Sequence, residues 1–556
     1  MDASRAVGGF ASIIVAASLG LCFTVSAADA PTPGSVQDTL REPPRFPLED
    51  GPADSVQTPP MPMRNIPGGG RPVVIDRFEV TGNSVISTPV LQSMLRRYEG
   101  ATMTLEEIFG IADQLTSYYH AQGYGLATVT VPAQRVEDGV ISLEVIEGRV
   151  AEVRFRGNSR FSSDYLGSQV TEVGGGQVFR TSAMEREALL LNDIPGVAAT
   201  AVISPGAAYG TSDVTFNVTE TPRQYRVSVD NYGRQTIGEW RMVADATFNG
   251  LHGRSDRFNI GGVISSGSRL RFGKMSYDMS VGTQGARLRF SANRSYYTVG
   301  GPVFIPLEIS GYSNNFRVDY TRPIHRTRRQ STLIGVALTY TDAASYSGFV
   351  GSKISSTQIG LLELSWATQQ RYASGTVGAM GVILATNFEP VDFDTVNSTL
   401  DGQQQRGRIE LYSNFTIPIS GQWNLLARAR VQTSIDPLVD TQQLSLGGPT
   451  SVRGYGPSEI RGDRGVFLSA ELFRYFHIEQ YPASWSIFVD GGRVWRIVHQ
   501  FSGPDTTDGI AGAGVGLVIN PGGKFSARLE YARSIGGHTA SDGDDNRFWA
   551  NFVTEF

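Results

Sequence analysis

The stretches RIELYSNFTI (residues 408–417) and LLARARVQ (residues 425–432) decide the fold, because each alternates strictly between two chemistries. Arg408, Glu410 and Asn414 fall on one parity of the first, and Ile409, Leu411 and Phe415 on the other. In the second, Arg428 and Arg430 alternate with Leu425, Ala427, Ala429 and Val431. A third stretch repeats the pattern, setting Arg528 and Glu530 against Phe525, Ala527, Leu529 and Tyr531. Successive side chains of a strand point to opposite faces, so each segment has one charged face and one apolar face. A soluble sandwich would turn the charge outward to water. A membrane barrel turns it inward, because a lipid-facing charge costs about 2–4 kcal/mol near the midplane.

Alternation alone does not separate these cases, but its surroundings do. From Pro222 to the C-terminus the chain reads as sixteen alternating segments, the first starting near Arg223, the tenth near Gln403 and the last near Asn546. An even number of strands is what a single-chain bacterial barrel requires. In the last segment Phe548, Ala550, Phe552, Thr554 and Phe556 share one face. A terminal aromatic there, Phe556, resembles the assembly signal of outer-membrane barrels. After the N-terminus no apolar run approaches the length of a membrane helix, while Gly (64), Tyr (21) and Phe (28) are abundant. The expected fold is a membrane β-barrel of 16 antiparallel strands over residues 222–556.

Residues 1–27 read as a secretory signal peptide, with Arg5 before an apolar stretch from Phe10 to Val25. Cleavage after Ala27 and cleavage after Ala30 both fit. The only cysteine, Cys22, lies within this segment, so the mature chain is expected to carry no disulfide and no thiolate metal site. Residues 28–71 are Pro-rich and end in Gly68-Gly69-Gly70, the composition of an extended linker. A short helix over Ser35–Arg41 fits before Pro43.

Two small α/β domains of order βααββ are expected at 72–148 and 149–221. The first opens with a strand over Val73–Val80 and closes with Ala127–Val131 and Val140–Ile146. The second repeats the opening: Phe155-Arg156-Gly157-Asn158 echoes Val80-Thr81-Gly82-Asn83 in its Gly-Asn punctuation. Its helix is expected at Ser182–Asn192.

Three features in this order resemble one family, the outer-membrane transporters of two-partner secretion (TpsB; haemolysin/filamentous-haemagglutinin transporter type). The paired modules resemble POTRA (polypeptide-transport-associated) domains, with Gly139–Gly148 similar to their closing strand. Val229-Asp230-Asn231-Tyr232-Gly233, with Gly238 and Arg241, is similar to the family's first hairpin. The loop motif Val452, Arg453, Gly454, Tyr455 is followed by Phe488, Asp490 and Gly492. Counting strands puts the loop motif between the eleventh and twelfth, in the sixth extracellular loop, where this superfamily keeps it. The resemblance implies that the loop folds into the barrel, where Arg453 pairs with Asp490 on the thirteenth strand. It assigns Gly454 to a tight turn and Tyr455 to packing the tip on the wall.

The implied activity is capture of an unfolded partner exoprotein, adhesin- or cytolysin-like, in the periplasm and its threading through the barrel to the surface. The implied partners are that secreted protein, outer-membrane lipid, and the barrel-assembly machinery during biogenesis. Many members also carry an N-terminal helix that plugs the pore, for which this chain offers only the short helix near Ser35. A barrel-assembly insertase of the same superfamily, a passive porin and a barrel hydrolase are the alternatives. No P-loop occurs, and the six histidines share no motif with Ser or Asp, so no enzyme, cofactor or metal centre is expected. A net charge of -5 and a pI near 5.8 argue against nucleic acid.

Overall fold

A computed structural model describes residues 31–40, 56–57, 72–388, 407–497 and 506–556. The signal peptide, Cys22 and most of the Pro-rich segment lie outside the described residues.

Sixteen strands close a barrel, each pairing with its sequence neighbour along the chain and the first with the last. The first eight are Arg223–Asp230, Arg241–Asn249, Asp256–Ser265, Leu270–Val281, Ala286–Thr298, Ile309–Arg326, Gln330–Ser347 and Ser352–Arg371. The rest are Val377–Asn387, Arg408–Ser420, Trp423–Ser434, Arg464–Ile478, Tyr481–Arg496, Thr506–Ile519, Phe525–Ser534 and Asn546–Glu555. Parity holds as the sequence requires. Ile409 and Leu411 lie 44% and 45% exposed on the outer wall, while Arg408 and Glu410 are buried inside. Their charges are met within the lumen: Arg430 pairs with Glu410 at 2.7 Å and Arg408 with Glu363 at 3.3 Å. The tenth strand starts at Arg408, five residues after its expected start.

Helix α1 (Pro33–Leu40) precedes the modules. The first module contains α2 (Thr88–Leu95) and α3 (Leu105–Ala121) over a sheet of Arg77–Thr81, Val140–Ile146 and Thr128–Thr130. Helix α3 begins at a capping box, Thr104 with Glu107, and buries Ile108, Ile111, Ala112, Leu115 and Tyr119 on one face. The single opening strand expected over Val73–Val80 is broken in two. Val73–Val74 pairs instead with Thr102–Met103, and the N–H groups of Asp76 and Arg77 both turn to the Gly139 carbonyl.

The second module runs Arg149–Arg156, α4 (Ser163–Gln169), α5 (Thr181–Asn192), Val197–Pro205 and Thr211–Glu220. Helix α4 is an addition to the sequence reading, which located only α5; its seven residues are too short to show a period.

The modules share a lock that only the Gly-Asn punctuation hinted at. Gly82 and Gly157 both take positive φ, and at both a Cβ would strike the carbonyl of the closing strand, Val145 or Val218. The next residue, Asn83 or Asn158, donates its amide to the carbonyl three residues on, each at 2.8 Å. A glutamate at the end of the closing strand then gathers the loop's N–H groups. Glu147 accepts from Ser84 and Val85, and Glu220 from Ser159, Arg160 and Phe161. Burial pushes the Glu220 carboxyl up, but the Arg160, Phe161 and Ser159 donors override it and hold it below the usual carboxylate range.

The second module is docked on the turns at the end of the barrel where its chain enters the first strand. Arg326 pairs with Asp193 at 2.7 Å, and the Ser255 N–H donates to the Tyr165 hydroxyl at 2.8 Å. It sits at the lower mouth of the lumen.

Candidate functional site

The long connection between the eleventh and twelfth strands is a hairpin, Leu444–Leu446 paired with Ile460–Gly462, whose tip turns into the barrel. Val452 and Tyr455 are fully buried, in a cluster with Leu444, Leu446, Ile460, Phe467, Val494 and Ile510. This apolar base fixes the hairpin and leaves the guanidinium of Arg453 aimed at the inner wall.

Arg453 is 1% exposed and Asp490 0%. The structure brings them together as a bidentate pair: Nε donates to Oδ2 at 2.7 Å and Nη2 to Oδ1 at 3.0 Å. Two partners were missed from sequence. Nη1 donates to Glu471 Oε2 at 2.8 Å and to Glu530 Oε1 at 2.9 Å, from the twelfth and fifteenth strands. Arg428 approaches Asp490 at 4.0 Å and Arg528 approaches Glu530 at 3.9 Å. Three carboxylates thus face three guanidiniums, and the cluster is neutral. Phe488 places its ring face 3.2 Å from the Arg453 guanidinium carbon, a cation–π contact on top of the ion pairs. The Arg453 carbonyl is taken as well, accepting from Trp549 Nε1 at 2.8 Å.

The signal for the missed carboxylates was partly visible, since the parity of Glu530 marks it as lumen-facing. Parity fixes a face and not a height, and only the register across strands twelve to fifteen brings the groups to one level.

Gly454 differs from its expected role. It has no positive φ; instead a Cβ there would lie 2.8 Å from the Arg533 carbonyl and the Ser534 nitrogen. Close approach of the tip to the fifteenth strand, rather than a tight turn, is what requires glycine. Gly492 makes room likewise, for Leu446 of the hairpin, whose Cδ1 would lie 2.6 Å from a Cβ. Tyr455 packs its ring beside His538 and donates its hydroxyl to the His538 carbonyl at 3.0 Å. Phe556, 69% exposed, ends the last strand with its backbone paired to Tyr225.

The first hairpin closes the barrel seam. Arg241 pairs with Asp230 at 2.8 Å. The Asn231 side chain clasps the last strand from both sides, donating to the Phe548 carbonyl and accepting from the Ala550 N–H. Tyr232 stacks edge-on against Trp549, which links the seam to the loop tip.

Helix α1 occupies the upper lumen, two residues earlier than the expected start. Val36 is fully buried against Ile237, Leu270, Tyr297, Val299 and Ile309. Backbone groups do most of the rest: the Gly34 N–H donates to Asp440, Arg241 donates to the Thr39 carbonyl, and Ser458 to the Ser35 carbonyl. Among the described residues, no group of His, Cys, Asp and Glu side chains is placed to hold a metal ion.

Known proteins resemble this chain in sequence and in fold. Residues 210–519 match the family model described as haemolysin secretion/activation protein ShlB/FhaC/HecB, and residues 73–148 match the ShlB-type POTRA domain. The heme/hemopexin transporter protein HuxB of Haemophilus influenzae (strain 86-028NP) is 23% identical over 498 residues, spanning 87% of this chain and 86% of that protein. The hemolysin transporter protein ShlB of Serratia marcescens is 23% identical over 398 residues, 70% of each. Among solved structures, CdiB from Escherichia coli superposes with a TM-score of 0.71 at 20% identity, covering 89% of this chain and 92% of that one, a likeness of fold. The chain belongs to the ShlB/FhaC/HecB family, the outer-membrane β-barrel transporters of two-partner secretion, with its POTRA modules in the periplasm.

Proposed function

We propose that residues 72–148 and 149–221 capture an unfolded adhesin- or cytolysin-like exoprotein by strand addition, and that residues 222–556 thread it outward once α1 leaves the lumen. One observation carries this reading. Val56–Gln57 of the Pro-rich linker pairs, parallel, with Ala201 and Val202 on the strand Val197–Pro205 of the second module. Without those two residues that strand would be the sheet's free edge. An edge with unpaired N–H and C=O groups adds a strand from any extended chain, with little regard to sequence. The same linker leads back to α1, so a passenger strand that displaces it slackens the tether of the plug.

In this reading Arg453, held by Asp490, Glu471 and Glu530, keeps the loop tip against the wall and so sets the free bore beside it. Phe556 serves earlier, as the signal read by the barrel-assembly machinery. The periplasm supplies no ATP, and folding of the passenger outside gives the movement its direction.

Replacing Val56 and Gln57 with proline removes the linker's self-pairing, since proline lacks the N–H a ladder needs. Binding of a peptide from the passenger's secretion region to the full-length protein should then tighten several-fold, because a competitor has been taken away. Unchanged binding means the edge is not the capture site. A second test uses the absence of cysteine after residue 22: a disulfide between Ser35→Cys and Ser458→Cys should stop secretion until a reductant is added. Secretion that continues with the bond closed means the helix does not have to leave.

A further inference from the structure

The lipid-facing wall of the barrel carries one register row whose chemistry changes along its length. Asp342, Asn314, Arg294, Gly273, Gly262 and Ala244 are successive cross-strand partners from the seventh strand to the second. They share parity with the exposed Leu338, Phe316, Phe290 and Met275, so the row faces outward. It begins with an acid and an amide, becomes cationic at Arg294 and ends in residues with almost no side chain.

Arg271 stands in the next row, opposite Tyr296, while Gly273 stands opposite Arg294. The two arginines are therefore diagonal neighbours on adjacent strands, about 7–8 Å apart at the backbone and within reach of one anion. Both point away from the lumen, and neither forms an ion pair with another described residue. Asp342 does not neutralise them: it accepts from Asn314 Nδ2 at 3.1 Å and the Tyr312 hydroxyl at 3.4 Å.

Height decides what they meet. Arg294 lies eight residues above the periplasmic end of its strand (294 − 286). At about 3.4 Å per residue and a tilt of about 40°, that is roughly 21 Å, near the top of an apolar band about 25 Å tall. Ala244 lies only five residues above the lower end of its strand (249 − 244), so the row descends from the outer interface into the hydrocarbon. Gly273, with open space around it, Gly262 and Ala244 floor this descending groove. Ile264 and Met242 stand above it, Ile260 and Met275 below, all exposed.

We propose that this row binds a phosphorylated glycolipid of the outer leaflet. Sugar hydroxyls meet Asn314 and Asp342, a phosphate lies between Arg271 and Arg294, and an acyl chain lies over Gly273, Gly262 and Ala244. Paired guanidiniums suit a phosphate by charge and by hydrogen-bond geometry. A two-chain phospholipid would satisfy the arginines but leave the polar end of the row unused.

The test is native mass spectrometry of the full-length detergent-solubilised protein, titrated in parallel with rough lipopolysaccharide and with phosphatidylglycerol. Lipopolysaccharide should bind the wild-type protein with one-to-one stoichiometry and at least tenfold more tightly than phosphatidylglycerol. R271Q/R294Q should lose that preference, with heat-modifiable gel migration reporting that the barrel has closed. Equal binding of the two lipids to wild type, or unchanged lipopolysaccharide binding by the variant, would overturn the proposal. If the variant does not close, dephosphorylated lipopolysaccharide on the wild-type protein decides instead: it should bind at least tenfold more weakly, and equal binding rejects the phosphate site.

Discussion

The loop tip at residues 452–455 and helix α1 both lie inside the barrel, yet they are held there by opposite chemistry. The tip is fixed by a guanidinium shared among three carboxylates with almost no exposure to water. The helix is held by a short apolar contact centred on the fully buried Val36, with Pro33 and Leu40 beside it, and by a few hydrogen bonds that mostly use its backbone. A buried ion cluster is costly to break, because each separated charge is left in a poorly solvated place. Backbone hydrogen bonds are cheap to exchange, because water can replace them. One occupant is held by contacts that are costly to break, the other by contacts that are cheap to exchange.

The sharpest way to break this contrast is Arg453→Met. It leaves three carboxylates facing two guanidiniums in the lumen wall, and removing one partner of a buried pair typically costs about 3–5 kcal/mol. Secretion should fall by more than about tenfold while the barrel still inserts, as judged by surface protease protection alongside passenger release. Asp490→Asn should follow at a smaller loss, since it keeps the shape and removes one charge. Glu471→Gln should cost less again, because it touches the guanidinium through one bond where Asp490 uses two. If Glu471→Gln proves worse than Asp490→Asn in the secretion assay, the bidentate pair is not the centre of the cluster.

Val36→Asp tests the other side. Burying a valine contributes about 1.5–3 kcal/mol, and a carboxylate in that apolar pocket reverses the sign. The helix should leave the lumen, raising single-channel conductance in planar bilayers several-fold at unchanged insertion. Conductance equal to wild type would mean that α1 is not what closes the upper lumen.

How far each element could be read from sequence follows the same physics. The barrel is legible because lipid and water enforce a two-residue alternation over sixteen strands, and Arg408, Glu410 and Arg430 could not face the other way. Asp490 was reached through a motif and its parity. Glu471 was not, because a lumen-facing acid says nothing of height until the register between strands is known. Helix α1 buries the consecutive residues Pro33, Gly34, Ser35 and Val36, a run with no helical period, and the linker strand at Val56–Gln57 is only two residues long. Elements held by few contacts leave a weak trace in the sequence, since few positions are patterned by burial.

Arg241 joins the two kinds of restraint and so gives the finest test. Its guanidinium holds Asp230 at the seam through Nε and Nη2, and its Nη1 donates to the Thr39 carbonyl at the end of α1. Arg241→Lys keeps the charge but not the fork, so it can serve Asp230 or Thr39 and not both. The salt bridge is the stronger pull, and the ammonium should stay with Asp230. The seam should then hold, and α1 should lose a single hydrogen bond worth about 0.5–1.5 kcal/mol, or nearer the upper end because the donor is charged. Brief channel openings should become a few times more frequent, with conductance per opening and passenger release close to wild type. If the lysine variant instead fails to close the barrel, as judged by loss of heat-modifiable migration, the seam depends on the bidentate geometry. Arg241 would then belong with the fixed restraints at Arg453 rather than with the releasable ones at α1.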